Sequence, residues 1–326
     1  MAWSEVLGQD RIVKLLKTHL QDGRVAHAYL FAGPDGVGKR RLAFEMAKAL
    51  NCTGAGHRPC DACTVCRQIA RGTHPDVHSV VSGGASDQIK IDMIRHVIGR
   101  VALRPYSAAH QVAVIDGAER LTEEAANSLL KTLEEPSRAT RFLLTTSRPM
   151  QCVPTVVSRC QLIRCEPLPH DVLEQILLRE QACDAKAAKA IARLAGGSAA
   201  RALELSGRWA EYQQSLDRLS GPAGEWLRQP LPETRQDVTE LLDGMMAWLR
   251  DVAVSAVMDP AAESEGVRLV HEARAEALRR QARAADTDRV IRAALALIEL
   301  RESADQHVSP RMIAALAREQ WLSVTE

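Results

Sequence analysis

Aromatic side chains are scarce: three Phe, three Tyr and five Trp make up 3% of 326 residues. Proteins that hold single-stranded nucleic acid by stacking need successive aromatic platforms, and so few rings exclude a large surface of that kind. A surplus of either charge is also missing, with 42 Lys+Arg against 41 Asp+Glu and a formal net charge of +1. A chain that gripped phosphate backbones on its own would carry a basic excess. No run approaches the ~20 apolar residues that a bilayer span requires. The opening MAWSEVLGQDR shows no basic stretch leading into an apolar core. A cytoplasmic protein with no membrane partner and with reduced thiols is the expectation. The eight cysteines do not form a secreted disulfide pattern, since four are clustered and Cys152, Cys160, Cys165 and Cys183 are scattered. What is present, 46% hydrophobic and 25% charged residues, supplies the cores of two or three domains.

Residues 1–166 alternate short apolar runs with helical patterns, as a mostly parallel α/β sheet requires. The strand candidates are Ala28–Ala32, Val77–Val81, Val112–Ile115, Phe142–Thr146 and Gln161–Arg164. Several are apolar throughout, the pattern of strands covered on both faces. Lys39–Asn51 sets Leu42, Met46 and Leu50 on one helical face, and Glu123–Glu135 does the same with Ala126, Leu129, Leu130 and Leu133, starting at Thr122 and stopping at Pro136. After Pro167 the strands vanish. His170–Cys183, Ala185–Ala195 and Ala199–Ser206 read as three short helices, the last two separated by Gly196-Gly197. From Arg208 the helices lengthen, with Trp209, Tyr212, Leu216 and Leu219 on one face. Gly221, Pro222, Gly224, Pro230 and Pro232 mark a loop. The Ala/Arg-rich stretch 273–285 reads as an exposed helix, and a final helix starts at Ser309-Pro310. The expected division is 1–166, 167–207 and 208–326.

Gly33-Pro34-Asp35-Gly36-Val37-Gly38-Lys39 follows a strand and opens a helix with the G-x-x-x-x-G-K spacing of a phosphate-binding loop. Glycines let backbone N–H groups wrap a phosphate, the helix N-terminus favours negative charge, and the lysine reaches the outer phosphates. A hydrolytic loop continues with Ser or Thr, whose hydroxyl binds Mg²⁺; here Arg40 follows, and a guanidinium ligates no metal. Val112–Ile115 ends in Asp116, the carboxylate expected near Mg²⁺, but the next position, where an AAA+ ATPase has the glutamate that polarises water, is Gly117. Glu119 is two residues out of register. Nucleotide held by Gly33, Gly36, Gly38 and Lys39, with Arg40, Asp116 and Thr146 nearby, stays open, and ATP and Mg²⁺ chemistry at this site is expected to be weak or absent.

Cys52-x₇-Cys60-x₂-Cys63-x₂-Cys66 offers four thiolates in a short excursion after the loop helix. Four thiolates around Zn²⁺ make a closed structural site. An iron–sulfur run would want a fourth cysteine three residues beyond Cys66, and Ala70 stands there. His57 is an alternative ligand, and free thiols are the remaining reading.

Further strings narrow the field: Leu7-Gly8-Gln9, Ala26-His27-Ala28-Tyr29-Leu30-Phe31, Asn127-Ser128-Leu129-Leu130-Lys131-Thr132-Leu133-Glu134-Glu135-Pro136 and Ser158-Arg159-Cys160. With them the chain resembles the AAA+ clamp-loader family of bacterial DNA polymerase III, in its delta prime branch. The resemblance implies a P-loop AAA+ domain carrying the zinc-binding insert 52–66, a small helical lid, and an all-α collar that assembles with gamma/tau and delta subunits into a hetero-pentamer. The assembly acts on a sliding clamp and primer-template DNA. It implies that Arg159 is an arginine finger reaching a neighbour's ATP in trans. It also sets Thr146 and Ser147 at the phosphate-sensing strand end. Arg201 stands one place beyond the usual second-sensor arginine, where Ala200 is found. Two other readings remain: an active motor ATPase of gamma/tau type, and a zinc-containing nucleic-acid-binding protein with a vestigial P-loop. No polymerase centre is expected in this chain.

Overall fold

The structure is a computed structural model that describes residues 3, 5–82, 87–219, 230–257, 269–304 and 308–325. The α/β part runs α1 (Asp10–Gln21), β1 (Ala28–Ala32), α2 (Lys39–Asn51), α3 (Thr64–Ala70), β2 (Val77–Val81), α4 (Ile91–Val101), β3 (Gln111–Asp116), α5 (Glu123–Glu134), β4 (Thr140–Thr146), α6 (Pro154–Val157) and β5 (Gln161–Arg164). The helical part continues with α7 (His170–Arg179), α8 (Ala185–Leu194), α9 (Ala199–Gly207), α10 (Trp209–Leu219), α11 (Arg235–Val257), α12 (Ala275–Ala284), α13 (Thr287–Ala304) and α14 (Pro310–Thr325). No described helix is long and apolar enough to cross a membrane.

The five strands form one parallel sheet in the order β2-β3-β4-β1-β5. Parallel neighbours need crossover helices, which cover both faces, and β1 is buried at every residue. The register puts Ala28 and Ala113 on either side of Phe142, and Leu30 and Ile115 on either side of Leu144. These rows meet Ile94, Val97 and Val101 of α4 and Ala126, Leu129 and Leu133 of α5 in one buried cluster. Thr122 caps α5 through the Ala125 N–H at 3.3 Å, as the sequence anticipates.

The chain divides into two compact units: Met1–Ile176 with Gly196–Arg201, and Leu177–Ala195 with Ala202–Glu326. In the second, Tyr212, Leu216, Leu219, Leu242, Met245, Trp248, Leu297 and Trp321 lie in one core, with Leu194 and Leu205 packed against it. Buried Asp251 accepts the backbone N–H groups of Val270 and His271 and pairs with His271 Nδ1 at 2.9 Å; His271 Nε2 meets the Tyr212 hydroxyl at 3.0 Å. In α12 Leu278 is buried, Ala277 and Ala282 pack partly buried against the same core, and Glu276, Arg279, Arg280 and Arg283 are exposed, as the Ala/Arg-rich pattern suggests. Gly221, Pro222 and Gly224 of the expected loop lie outside the described residues.

Several helix ends shift by one residue, and larger differences from expectation fall in the strands β3 and β4 and in α7. β3 and β4 begin earlier, because Gln111 and Thr140 pair across them. Helix α7 stops at Arg179 rather than Cys183. Gln181 takes a left-handed φ of 52°, and the N–H groups of Gln181 and Ala182 return to the carbonyls of Leu178 and Leu177. That is a Schellman cap made without glycine, so no composition signal announces it.

Candidate nucleotide loop, arginine and thiol cluster

Parallel register gathers the loop residues at the carboxyl edge of the sheet. Thr146 pairs with Ala32 and Asp116 with Thr145, so the end of β1, the Asp116 carboxylate and the end of β4 converge. The turn depends on glycine. Gly36 and Gly38 have φ of 74° and 93°, and a Cβ on Gly33 would lie 2.3 Å from the Cys165 carbonyl, where no side chain fits. Gly33 N–H donates to Thr146 O at 3.1 Å. The buried Lys39 ammonium donates to Gly33 O and Pro34 O at 2.8 and 2.7 Å and lies 3.8 Å from Asp35. Burial pulls its pKa below that of an ordinary lysine, against the pull of Asp35. The Ala199 N–H donates to Gly36 O, and a Cβ on Gly36 would strike Ser198 Oγ at 2.1 Å, so the 198–200 segment closes directly over this turn.

The metal side of the site is built differently from a hydrolytic one. Arg40 Nε lies 3.7 Å from Asp116 Oδ2, and its guanidinium carbon sits 5.7 Å over the Phe44 ring. The other Asp116 oxygen accepts the Thr145 hydroxyl at 2.5 Å. A half-exposed cation therefore stands beside the carboxylate that would hold Mg²⁺, and no hydroxyl stands at position 40. The residues fit phosphate through the loop backbone and Lys39, but they do not fit a divalent metal.

Thr146, fully buried, has its hydroxyl engaged by the Arg148 N–H and the Cys152 thiol at 3.1 and 3.2 Å. Ser147 bonds Glu119 through both its N–H and its hydroxyl. Burial pushes the Glu119 carboxyl up, but the Ser147 bonds outweigh it and hold the pKa below the usual range. Sequence register alone sets Glu119 aside; the short 3₁₀ turn at Ala118–Arg120 brings it to the strand end.

Arg159 follows α6, whose Val156 is buried, and precedes Cys160, whose thiol packs against the sheet core. Burial pushes that thiol up to about 12, so Cys160 is an anchor rather than a nucleophile. Between these two fixed neighbours the Arg159 side chain lies at the surface. One guanidinium nitrogen donates to Thr155 O at 2.9 Å and to Ser158 Oγ at 3.4 Å, and the other pairs with Glu134 of α5. Arg201 donates its backbone N–H to Ser198 Oγ.

The four clustered cysteines come together as their spacing requires. The Sγ atoms of Cys52, Cys60, Cys63 and Cys66 all lie within 4.8 Å of one another. Cys52 is the C-cap of α2 and Cys63 the N-cap of α3, so two helices end on the cluster. Backbone N–H groups of Cys60, Cys63 and Cys66 point at the sulfurs of Cys52, Cys60 and Cys63 at 3.3, 3.3 and 3.4 Å. Such bonds favour thiolates. Burial opposes them at Cys63, but the Cys66 and Thr53 N–H groups lower its pKa to about 5. This donor set fits a tetrahedral metal. His57 is absent from it. A Cβ on Gly54 would lie 2.6 Å from Cys60 Sγ. Trp3 Nε1 donates to Arg58 O at 3.1 Å, and Lys48 of α2 joins Glu45 to Asp61 with 2.5 Å to each.

Residues 8–169, about half of the chain, match the family model described as DNA polymerase III, delta subunit. The Bacillus subtilis DNA polymerase III subunit delta′ is 35% identical over 208 residues, which cover 63% of this chain and 62% of that protein. The Pseudomonas aeruginosa delta′ subunit is 37% identical over 58% of each chain. The chain belongs to the DNA polymerase III delta prime family. The Escherichia coli tau subunit is 32% identical over 85% of this chain and 41% of its own length. The chain thus spans about three fifths of the delta prime relatives it matches. The family match covers the loop, Asp116, the thiol cluster and Arg159, all within 8–169. The sequence did not single out Lys48, Asp61, Gly54 or Trp3, because their roles depend on how a 15-residue excursion folds back on α2.

Proposed function

We propose that this chain is the delta prime subunit of a bacterial clamp loader, a cytoplasmic AAA+ subunit that does not hydrolyse ATP itself. It lends Arg159 to a neighbouring gamma/tau motor subunit during loading of the sliding clamp onto primed DNA. The observation that carries the reading is Arg40 facing Asp116 at 3.7 Å in a chain that keeps a partly exposed arginine in the Ser158-Arg159-Cys160 string. A guanidinium stands beside the carboxylate of the chain's own metal seat, and on this reading the family's ATP chemistry falls to another subunit. A guanidinium brought to a neighbour's γ-phosphate stabilises the charge that develops there. The cysteine cluster holds structural Zn²⁺ and supplies no catalytic position. The helices after 166 divide into a lid (167–207) and a collar (208–326). The collar joins the gamma/tau and delta subunits in a hetero-pentamer, and through that assembly the chain meets the clamp and primer-template DNA.

The decisive experiment is Arg159→Ala in a reconstituted pentamer, followed by DNA-dependent ATP turnover and clamp loading. Assembly is expected intact, with turnover reduced by roughly 10³-fold or more at the site facing this chain, in line with fingers in other NTPases. Unchanged turnover and loading would sink the reading. Robust Mg²⁺-dependent hydrolysis by the isolated chain, lost in Lys39→Ala, would instead favour the motor-ATPase alternative.

A further inference from the structure

Arg159 does not hang free in this chain. Its guanidinium is held at both terminal nitrogens, by the Thr155 carbonyl and Ser158 hydroxyl on one side and by the Glu134 carboxylate on the other. Thr155 and Ser158 are its sequence neighbours. Glu134 is 25 residues away, in the last turn of α5, and its side chain is half exposed, against one third for Arg159. The rest of α5 is locked: Leu129 and Leu133 are buried in the sheet core, and the Glu135 N–H closes the helix on Lys131 O. Glu134 is therefore a charged group on a rigid support, aimed at the one arginine that the Ser158-Arg159-Cys160 backbone presents at the surface.

We infer that Glu134 is a positioning residue for Arg159. This rests on the reading that Arg159 acts in trans. An arginine side chain has many rotamers, and ordering it at an interface costs free energy that a pre-formed geometry avoids. The Glu134 contact does this before assembly. The contact persists when a phosphate arrives, because Glu134 takes one terminal nitrogen and the guanidinium carries five N–H donors in a fixed fork. The carboxylate thus extends the arginine without competing for it in the assembled state. Glu134 touches no reacting atom on this account; it acts only through Arg159.

The test is a set of variants in the reconstituted pentamer, read as kcat and KM for ATP. Glu134→Gln keeps the shape and removes the charge. It is expected to lower kcat about three- to fivefold, the range a single exposed ion pair can account for, with KM unchanged. Glu134→Asp restores most of the loss. Arg159→Ala lowers kcat far more, and Glu134→Gln added to Arg159→Ala does nothing further. If Arg159→Ala is defective while Glu134→Gln matches the parent, or raises kcat, the positioning role is wrong. It is equally wrong if Glu134→Gln still lowers kcat when Arg159 is absent, since the effect then does not pass through Arg159. If Arg159→Ala itself has no effect, the trans-arginine reading has failed, and the two failures are told apart by that single variant.

Discussion

Position 40 is where one residue changes the chemistry of a whole loop. The turn, the helix N-terminus and Lys39 are those of a phosphate cradle, but Arg40 sets a positive charge 3.7 Å from the Asp116 carboxylate, where a hydrolytic loop has a hydroxyl. A second residue-scale case is Asp76, which has no part in the loop. It is buried and accepts the N–H groups of Tyr106, Ser107 and Ala108 at 2.7–2.9 Å, with Gln111 Nε2 at 2.9 Å. Burial pushes its carboxyl up, but these donors prevail and hold the pKa below the usual range. A lowered folded-state pKa means that the unfolded chain takes up the proton first. The Asp76 contribution to stability is therefore full above about pH 4 and is lost as pH falls from there through the lowered value. Asp76→Asn is expected to cost about 2–3 kcal/mol at neutral pH in urea unfolding, since one oxygen must be replaced by a donor facing donors. It should also flatten the acid limb of the stability–pH curve. An unchanged midpoint at pH 7 would contradict this account.

At the scale of elements, α2 links two sites that are far apart in sequence logic. Its N-terminus carries Lys39 and its C-cap is Cys52. One turn before that cap, buried Lys48 ties buried Glu45 to Asp61 of the cysteine excursion. Burial raises the Glu45 carboxyl, and Lys48 counters it. Removing the cation strands a buried carboxylate, so Lys48→Met is expected to destabilise the α/β unit by about 3–5 kcal/mol. It should also speed proteolysis between residues 53 and 62, measured on the purified chain. The thiol cluster rests on the same element. On the proposed zinc reading, chelation should release one Zn²⁺ per chain, counted by elemental analysis, and loosen the segment 52–66 while leaving the sheet folded, because a closed thiolate site contributes directly to the folding of the segment that bears it. Retained protease resistance after complete metal removal would show that the cluster is not a structural support.

For the whole molecule, the collar reading makes a demand on surface composition. Ile291, Leu295 and Ile298 of α13 are 49%, 57% and 46% exposed at spacings that set them on one helical face, and Met312 and Leu316 are exposed on α14. Exposed apolar stripes of this kind mark contact surfaces when they are contiguous. Leu295→Glu is expected to leave the thermal midpoint of the isolated chain within about 2 °C, since the residue lies outside the buried core. The same change should reduce co-elution with gamma/tau and delta subunits in size-exclusion chromatography. Full assembly of that variant would remove this face from the interface.

How much of this the sequence could carry varies with the kind of interaction. The sheet strands, the P-loop, the thiol cluster and the cap at Thr122 follow from local periodicity, glycine geometry and ligand spacing, which are properties of short windows. The early stop of α7 escaped because its cap is Gln181 in a conformation that glycine usually marks. Glu119 escaped because register along the chain says nothing of a turn that folds a side chain back to Ser147.

The linear chain by itself determined the class of fold, the family, the four clustered thiols and the lack of a metal-binding hydroxyl beside Lys39, because each depends on residue type at fixed spacing. Only the tertiary structure decided which charge stands against which. Arg40 meets Asp116 across 76 positions, and Glu134 meets Arg159 across 25. Lys48 meets Asp61 through a loop whose path no pattern predicts. Electrostatic pairing depends on separation in space and on the surrounding solvent, and neither is set until the sheet and its helices have packed.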